Sequence, residues 1–374
     1  MTERAQTPCR SRGIHVTGNI LYGDVDLFGA LRSNTDRLNA AVESNASPEE
    51  FSDARNATEA HGLASEHVLG RGGVGVVFSA RRDGKTWAVK VAQPWPGTDD
   101  SFNPTSTLQR LRTPLFGPDG RSVRWIPPSE LSLCNRILNR EHQRLSSADD
   151  ESVVKPIEVF TEQGRMGYVM PVVEGPALEL KPGPPLAALA RTLQRLHEKQ
   201  WPHGDLKPQN VRVISDDQVC LIDPLPMPIG TELITPEWTH LNFLVSTPLV
   251  DSADPRDRRM VFRYRDLIAL ALMGAQAFTG ERPWGHAEVT RMMDRSVPME
   301  AKREELSLAR ERLRRLLAKV PSVLRPFLAL ALEPGLWPEE GPTFAAYLQA
   351  RPFETRCDAL ITLPIGEMFT TACR

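Results

Sequence analysis

The chain has 374 residues, 41% of them hydrophobic and 25% charged, with a net charge of −2. That is enough apolar material for one large bilobal domain or two ordinary ones, and the near-neutral balance excludes a global basic field of the kind that attracts nucleic acid. Five scattered cysteines (Cys9, Cys134, Cys220, Cys357 and Cys373) form no CxxC pair, which excludes a disulfide framework or a zinc site and fits a reducing compartment. The first residues lack the apolar core of a signal peptide. The longest apolar run, residues 267–278, is too short to cross a bilayer and contains Gln276. A cytoplasmic location without membrane contact is therefore expected.

Residues 1–64 carry weak helical periodicity over 25–42 (Leu27, Leu31, Leu38), then a Ser-, Pro- and Glu-rich break over 45–52. This extension is open between a regulatory arm, a partner-binding helix pair and a disordered lead. At His67 a strand pattern begins. Gly70, Gly72 and Gly75 have G-x-G-x-x-G spacing, and glycines there let backbone N–H groups approach phosphates closely. A dinucleotide loop of this spacing opens a helix. Here Val76, Val77 and Phe78 continue as a strand instead. An Asp83-Gly84 turn leads to a second strand over 86–91, which sets Lys90 between Val89 and Val91.

Residues 92–128, rich in Pro, Gly and Ser, read as an insertion. A helix over 131–145 carries Glu141, and residues 153–160 read as the next strand. Residues 167–175 read as a strand running into a linker, with Met170, Pro171 and Val173 at its end. Residues 186–198 are helical, with Leu189, Leu193 and Leu196 as the apolar stripe. Residues 239–263 read as irregular. Residues 301–320 read as a charged helix whose arginines alternate with Glu304, Glu305 and Glu311, a solvated face rather than a nucleic-acid site.

Between these elements lies the most informative stretch, residues 201–210. It sets an acid, a cation and an amide (Asp205, Lys207 and Asn210) within six residues. The apolar run 219–222 then reads as a short buried strand ending at Asp223. Mg²⁺ takes oxygen ligands, few of them from protein, and leaves the rest to water and phosphate. Asn210 and Asp223 are suited to supply such oxygens. Asp205 is then left to orient a nucleophile, and Lys207 to neutralise charge on a phosphoryl group in flight.

His203 to Asn210 resembles the catalytic loop of protein kinases, H-R-D-L-K-P-x-N, with Gly204 in place of the Arg. The resemblance covers about residues 65–350. It implies an α+β, bilobal fold: a small antiparallel β lobe over 65–173 with the 92–128 insertion, and a larger, mainly helical lobe over 174–350. Residues 1–64 are the extension, and 351–374 form a tail with no assigned role. The resemblance further implies that Gly70, Gly72 and Gly75 cover phosphates and that Val77 covers a base. Lys90 reaches the α- and β-phosphates and is held by Glu141, with Glu130 as runner-up. Met170 is the gatekeeper, and the Val173 N–H serves the hinge because Pro171 has none. His203 is structural. Asp266, in a run over 264–285 similar to the central large-lobe helix, braces the loop backbone through N–H donors. The implied cofactors are ATP and Mg²⁺, with Mn²⁺ as an alternative. The implied partner is a protein substrate, and the extension or the insertion is the place for a regulator.

Three features depart from the family pattern. Asp223-Pro224-Leu225 stands where D-F-G is usual, so the carboxylate is kept and the Phe and Gly are lost. Gly204 removes the guanidinium that clamps a phosphorylated activation segment, so switching by phosphorylation there is not expected. Thr235-Pro236-Glu237 resembles either the closing A-P-E or the T-P-E before it, and Leu336-Trp337-Pro338 stands where an Arg partner for that Glu is usual. The expected function is an ATP-dependent Ser/Thr-type protein kinase. Pro224 and Leu225 motivate a pseudokinase scaffold as the alternative, and Gly204 with Asp223-Pro224 motivates a small-molecule kinase.

Overall fold

The computed structural model describes residues 51–71, 74–93, 131–224, 255–285, 297–333 and 358–374, with 14–15, 115–116, 122–124, 238, 288 and 291. Five strands build the small lobe: β1 (Ala64–Arg71), β2 (Gly75–Arg82), β3 (Lys85–Ala92), β4 (Glu158–Glu162) and β5 (Arg165–Pro171). They pair antiparallel in the order β1-β2-β3-β5-β4. Pro156 has no N–H to donate, and the strand expected over 153–160 begins only at Glu158.

Period-2 alternation sorts the side chains of this sheet onto two faces. Val76, Phe78, Ala80, Val89, Val91 and Val169 form one apolar cluster with Phe51, Ala54 and Ala57 of helix α1 (Ser52–Ala60) and its flank. Ala88, Tyr168 and Met170 belong to the other cluster, with Cys134, Ile137 and Leu138 of helix α2 (Leu131–Ser147). Sequence assigned residues 52–60 to the extension. The structure instead places them in the lobe, because a sheet apolar on both faces must be covered on both. Asp53 accepts from Arg165 Nη2 at 2.7 Å, and Arg165 Nη1 donates to the Ala92 carbonyl at 2.9 Å. That chain of contacts ties α1 to the end of β3. Apart from the lobe, Ile14–His15 runs parallel to Ser122–Arg124, which pairs antiparallel with Leu115–Phe116.

The larger lobe holds α3 (Pro184–Glu198), the hairpin β6 (Val211–Ser215) and β7 (Gln218–Leu221), α4 (Pro255–Thr279), α5 (Met299–Lys319), α6 (Arg325–Leu332) and α7 (Ile365–Ala372). The molecule is thus an α+β, two-lobed, kinase-like fold. Helix α4 begins at Pro255, well inside the stretch read as irregular. Its first turns have no apolar period to betray them, and proline is tolerated at a helix start.

The C-terminal segment also differs from its reading as a tail. Ile365, Met368 and Phe369 fall on one helical face and are buried. The Phe369 ring meets Phe327 edge-on at 5.9 Å, and the Gly366 N–H donates to Gln194 Oε1 at 3.0 Å. Among the described residues, no helix is long and apolar enough to cross a membrane.

A half-buried ion pair closes the junction between α2 and α3. Asp150 accepts from Arg195 Nε at 2.7 Å and Nη2 at 3.0 Å, from the Ser152 N–H at 3.0 Å and from Lys199 Nζ at 3.3 Å. The Arg195 guanidinium holds the Asp150 carboxyl well below the usual carboxylate range, against the opposing effect of burial. A folded value below the unfolded one stabilises the fold above the unfolded pKa, about 4, and that gain is lost as pH falls through the folded value. Asp150→Asn is expected to cost about 1–3 kcal/mol near neutral pH. The difference in Tm from wild type should shrink progressively below about pH 4. A Tm difference independent of pH would contradict this assignment.

Candidate active site

Strand β3 carries Lys90 with its side chain on the α2 face of the sheet. Lys90 pairs in register with Val77 on one side and Tyr168 on the other. Its Nζ donates to Glu141 Oε1 on α2 at 2.6 Å and to Asp223 Oδ1 at 2.9 Å. A small-lobe cation thus bridges an acid of the same lobe and an acid of the larger lobe. Side-chain exposure is 5% for Lys90, 4% for Glu141 and 39% for Asp223, so only Asp223 has substantial open surface. Burial opposes charge on Lys90, but Asp223 and Glu141 keep its ammonium above the ordinary range. Burial pushes the Glu141 carboxyl up, partly offset by Lys90. Burial also works against the Asp223 carboxylate, yet Lys90 holds it below its ordinary value. Asp223 sits at φ +53°, a left-handed conformation uncommon outside glycine and typical of constrained sites.

The loop between α3 and β6 supplies the second group. Lys207 Nζ donates to Asp205 Oδ2 at 2.9 Å. Asn210 Nδ2 donates to the Asp205 carbonyl at 2.8 Å, with Asp205 Oδ2 at 3.3 Å. Burial raises the Asp205 carboxyl, but Lys207 pulls it below its ordinary value. The loop is fastened to the strand that carries Asp223: the Ile222 N–H donates to the Asn210 carbonyl at 3.0 Å, and His203 Nε2 meets the Ile222 carbonyl at 2.8 Å. Desolvation lowers the His203 pKa, which favours a neutral ring in this packing role.

Asp266 on α4 is fully buried beneath the loop. Its Oδ2 accepts the His203 N–H at 2.7 Å and lies 3.0 Å from His197 Nε2, while Oδ1 accepts the Gly204 N–H at 2.7 Å. These donors overcome the cost of burying the carboxylate and keep its pKa low.

Val77, Ala88, Met170 and Val173 share the apolar cluster next to this polar group, with Met170 paired to Ala88 across β3 and β5. Gly70 pairs with Val77, and a Cβ on Gly75 would come within 2.7 Å of the Val91 carbonyl oxygen, so only glycine fits there. Gly72, Glu130, Leu225, residues 235–237 and residues 336–338 lie outside the described residues. Where the linker enters the larger lobe, Gly175 adopts φ +126°, and a Cβ there would overlap the Val213 carbonyl oxygen. Gly175→Ala is expected to destabilise the fold by about 1–3 kcal/mol, read from the denaturation midpoint. A change below about 0.5 kcal/mol would mean the linker relaxes freely.

Several contacting residues had no sequence signal. Tyr168 hydrogen-bonds Glu141, His197 reaches Asp266, and the Arg144 guanidinium lies 4.9 Å over the Trp201 ring just before the loop. Each stands in an ordinary strand or helix pattern, and only spatial packing brings it to the site.

The chain is 26% identical over 231 residues to the serine/threonine-protein kinase PknH of Mycobacterium bovis, covering 59% of this chain and 33% of that protein. Two PknH sequences of Mycobacterium tuberculosis match at the same identity, with 32% of each covered. This weak similarity supports a protein-kinase-like superfamily. The chain spans about a third of the length of these curated relatives. No family model matches it.

Proposed function

We propose that the chain is an ATP-dependent phosphotransferase of the Ser/Thr protein-kinase type. The observation that carries this reading is Lys90 bridging Glu141 and Asp223 across the two lobes. Asp205, Lys207 and Asn210 stand on the loop fastened beside Asp223. The residues present fit a magnesium–nucleotide. Asn210 directs its Nδ2 to the loop backbone, which leaves Oδ1 as its ligand atom, and Asp223 adds a partly open carboxylate. When bound, Mg²⁺–ATP supplies the phosphoryl group and neutralises part of its charge.

In this reading, Lys90 holds the phosphates and Glu141 keeps it aimed. Asp205 orients the attacking hydroxyl and accepts its proton, and Lys207 sits beside the group in transfer. Gly70 and Gly75 would cover the phosphates, and the apolar group around Val77, Met170 and Val173 would take the base. A protein Ser or Thr hydroxyl is the proposed acceptor.

The test is incubation of the full chain with Mg²⁺ and ATP, with and without protein substrates, read by intact mass and phosphate labelling. Transfer by wild type but not by Asp205→Asn supports the reading, and equal labelling by both removes it. A nucleotide-binding regulator is the second reading, favoured by the buried Pro224 directly after Asp223. Nucleotide binding without turnover would select it. Turnover with metabolites and none with proteins would select a small-molecule kinase.

A further inference from the structure

Tyr168 and Lys90 are directly opposed residues on neighbouring strands. Opposed residues project to the same sheet face, so both side chains meet α2 at one place. The Tyr168 hydroxyl donates to Glu141 Oε1 at 2.6 Å, and Lys90 Nζ donates to the same oxygen at 2.6 Å. All three residues are buried, with 0% of Tyr168 exposed. We propose that Tyr168 is a positioning residue for Glu141, holding its carboxylate toward Lys90 whatever the state of Asp223. This inference rests on the phosphotransferase reading and deepens it.

The physical case lies in how the donors are shared. Lys90 divides its ammonium between Glu141 and Asp223, and in the proposed reaction it also serves the phosphates. A buried carboxylate that depended on Lys90 alone would lose much of its hydrogen bonding as the lysine turned to the nucleotide. The Tyr168 hydroxyl has a single proton, and that proton goes to Glu141. A phenol also hangs on only two rotatable bonds, whereas a lysine has four, so the donor's position is set by the sheet. The ring of His142, the next residue on α2, packs 5.8 Å from the Tyr168 ring, limiting its freedom further. Glu141 is thus gripped by one donor that moves with the nucleotide and one that does not.

A purely space-filling Tyr168 would be replaced by Phe without loss, because the ring is retained. The experiment is a double-mutant cycle on Tyr168→Phe and Glu141→Gln, read by the Kd for Mg²⁺–ATP and by kcat/KM for phosphate transfer. Tyr168→Phe is expected to weaken kcat/KM roughly tenfold or more in the wild-type background, the scale of a hydrogen bond to a charged group. In the Glu141→Gln background it should change either value less than about twofold, because the group it acts through is already neutral. Unchanged activity in Tyr168→Phe would overturn the proposal, as would losses that multiply independently in both backgrounds. Either result leaves wild-type transfer intact, so the phosphotransferase reading would survive. Absence of both nucleotide binding and transfer in wild type would overturn that reading, and this proposal with it.

Discussion

Asp205→Asn is expected to lower phosphate transfer by roughly 10²–10⁴-fold, the range for removing a positioned general base. The substitution keeps the side-chain volume and one oxygen for Lys207, now 2.9 Å from the carboxylate. Asn210 bonds the main-chain carbonyl of Asp205, which the change does not touch. The loop should therefore hold its shape and lose only the proposed proton acceptor and one negative charge. Lys90, Glu141 and Asp223 keep their mutual bonds, so Mg²⁺–ATP affinity should move only a few-fold. Single-turnover rates at saturating ATP, beside a nucleotide Kd, separate the two effects. A rate loss under about tenfold with unchanged affinity would remove Asp205 from the chemical step.

Asp266→Ala should produce the largest loss of stability. The carboxylate lies at zero exposure and accepts the N–H groups of His203 and Gly204, each at 2.7 Å. Alanine leaves both donors buried without an acceptor, at about 1–3 kcal/mol each. The expected cost is about 2–6 kcal/mol, a large part of the 5–15 kcal/mol that holds a typical domain folded. Urea titration of the variant measures it. Activity in whatever remains folded should also fall, because the loop carrying Asp205 has lost its anchor. Asp266→Asn should lie between the two, since an amide offers one acceptor oxygen and presents an NH₂ group to donors. A variant within about 1 kcal/mol of wild type would show that water or another acceptor replaces the carboxylate.

The loop of Asp205, Lys207 and Asn210 stands out in the sequence because its charged and polar groups are local. Asp205, Lys207 and Asn210 fall within six residues, and the strand leading to Asp223 is an uninterrupted apolar run. Lys90 stands out for a similar reason, as a lone cation between two β-branched residues after a turn, and the fold pairs it with Glu141 and Asp223. Glu141 needed more, because its helix follows a long insertion and carries several polar positions. Helix α1 and helix α7 were misjudged at the two ends of the chain. The apolar faces they cover, reaching Phe160 and Val169 on one lobe and Phe327 on the other, lie outside any local window of sequence.

Local pattern thus determined the strands, the loop and the identities of the charged groups, because each depends on residues within one or two turns of chain. Register and lobe packing decided the rest. Tyr168 meets Glu141 only because β5 pairs with β3 in one particular register, and a slip of one residue would turn it to the opposite face. Lys90 meets Asp223 only because the two lobes close on each other across 133 positions of chain. Such contacts follow from the folded positions of whole elements, a free-energy outcome of burying both sheet faces at once, and no short window of residues contains that information.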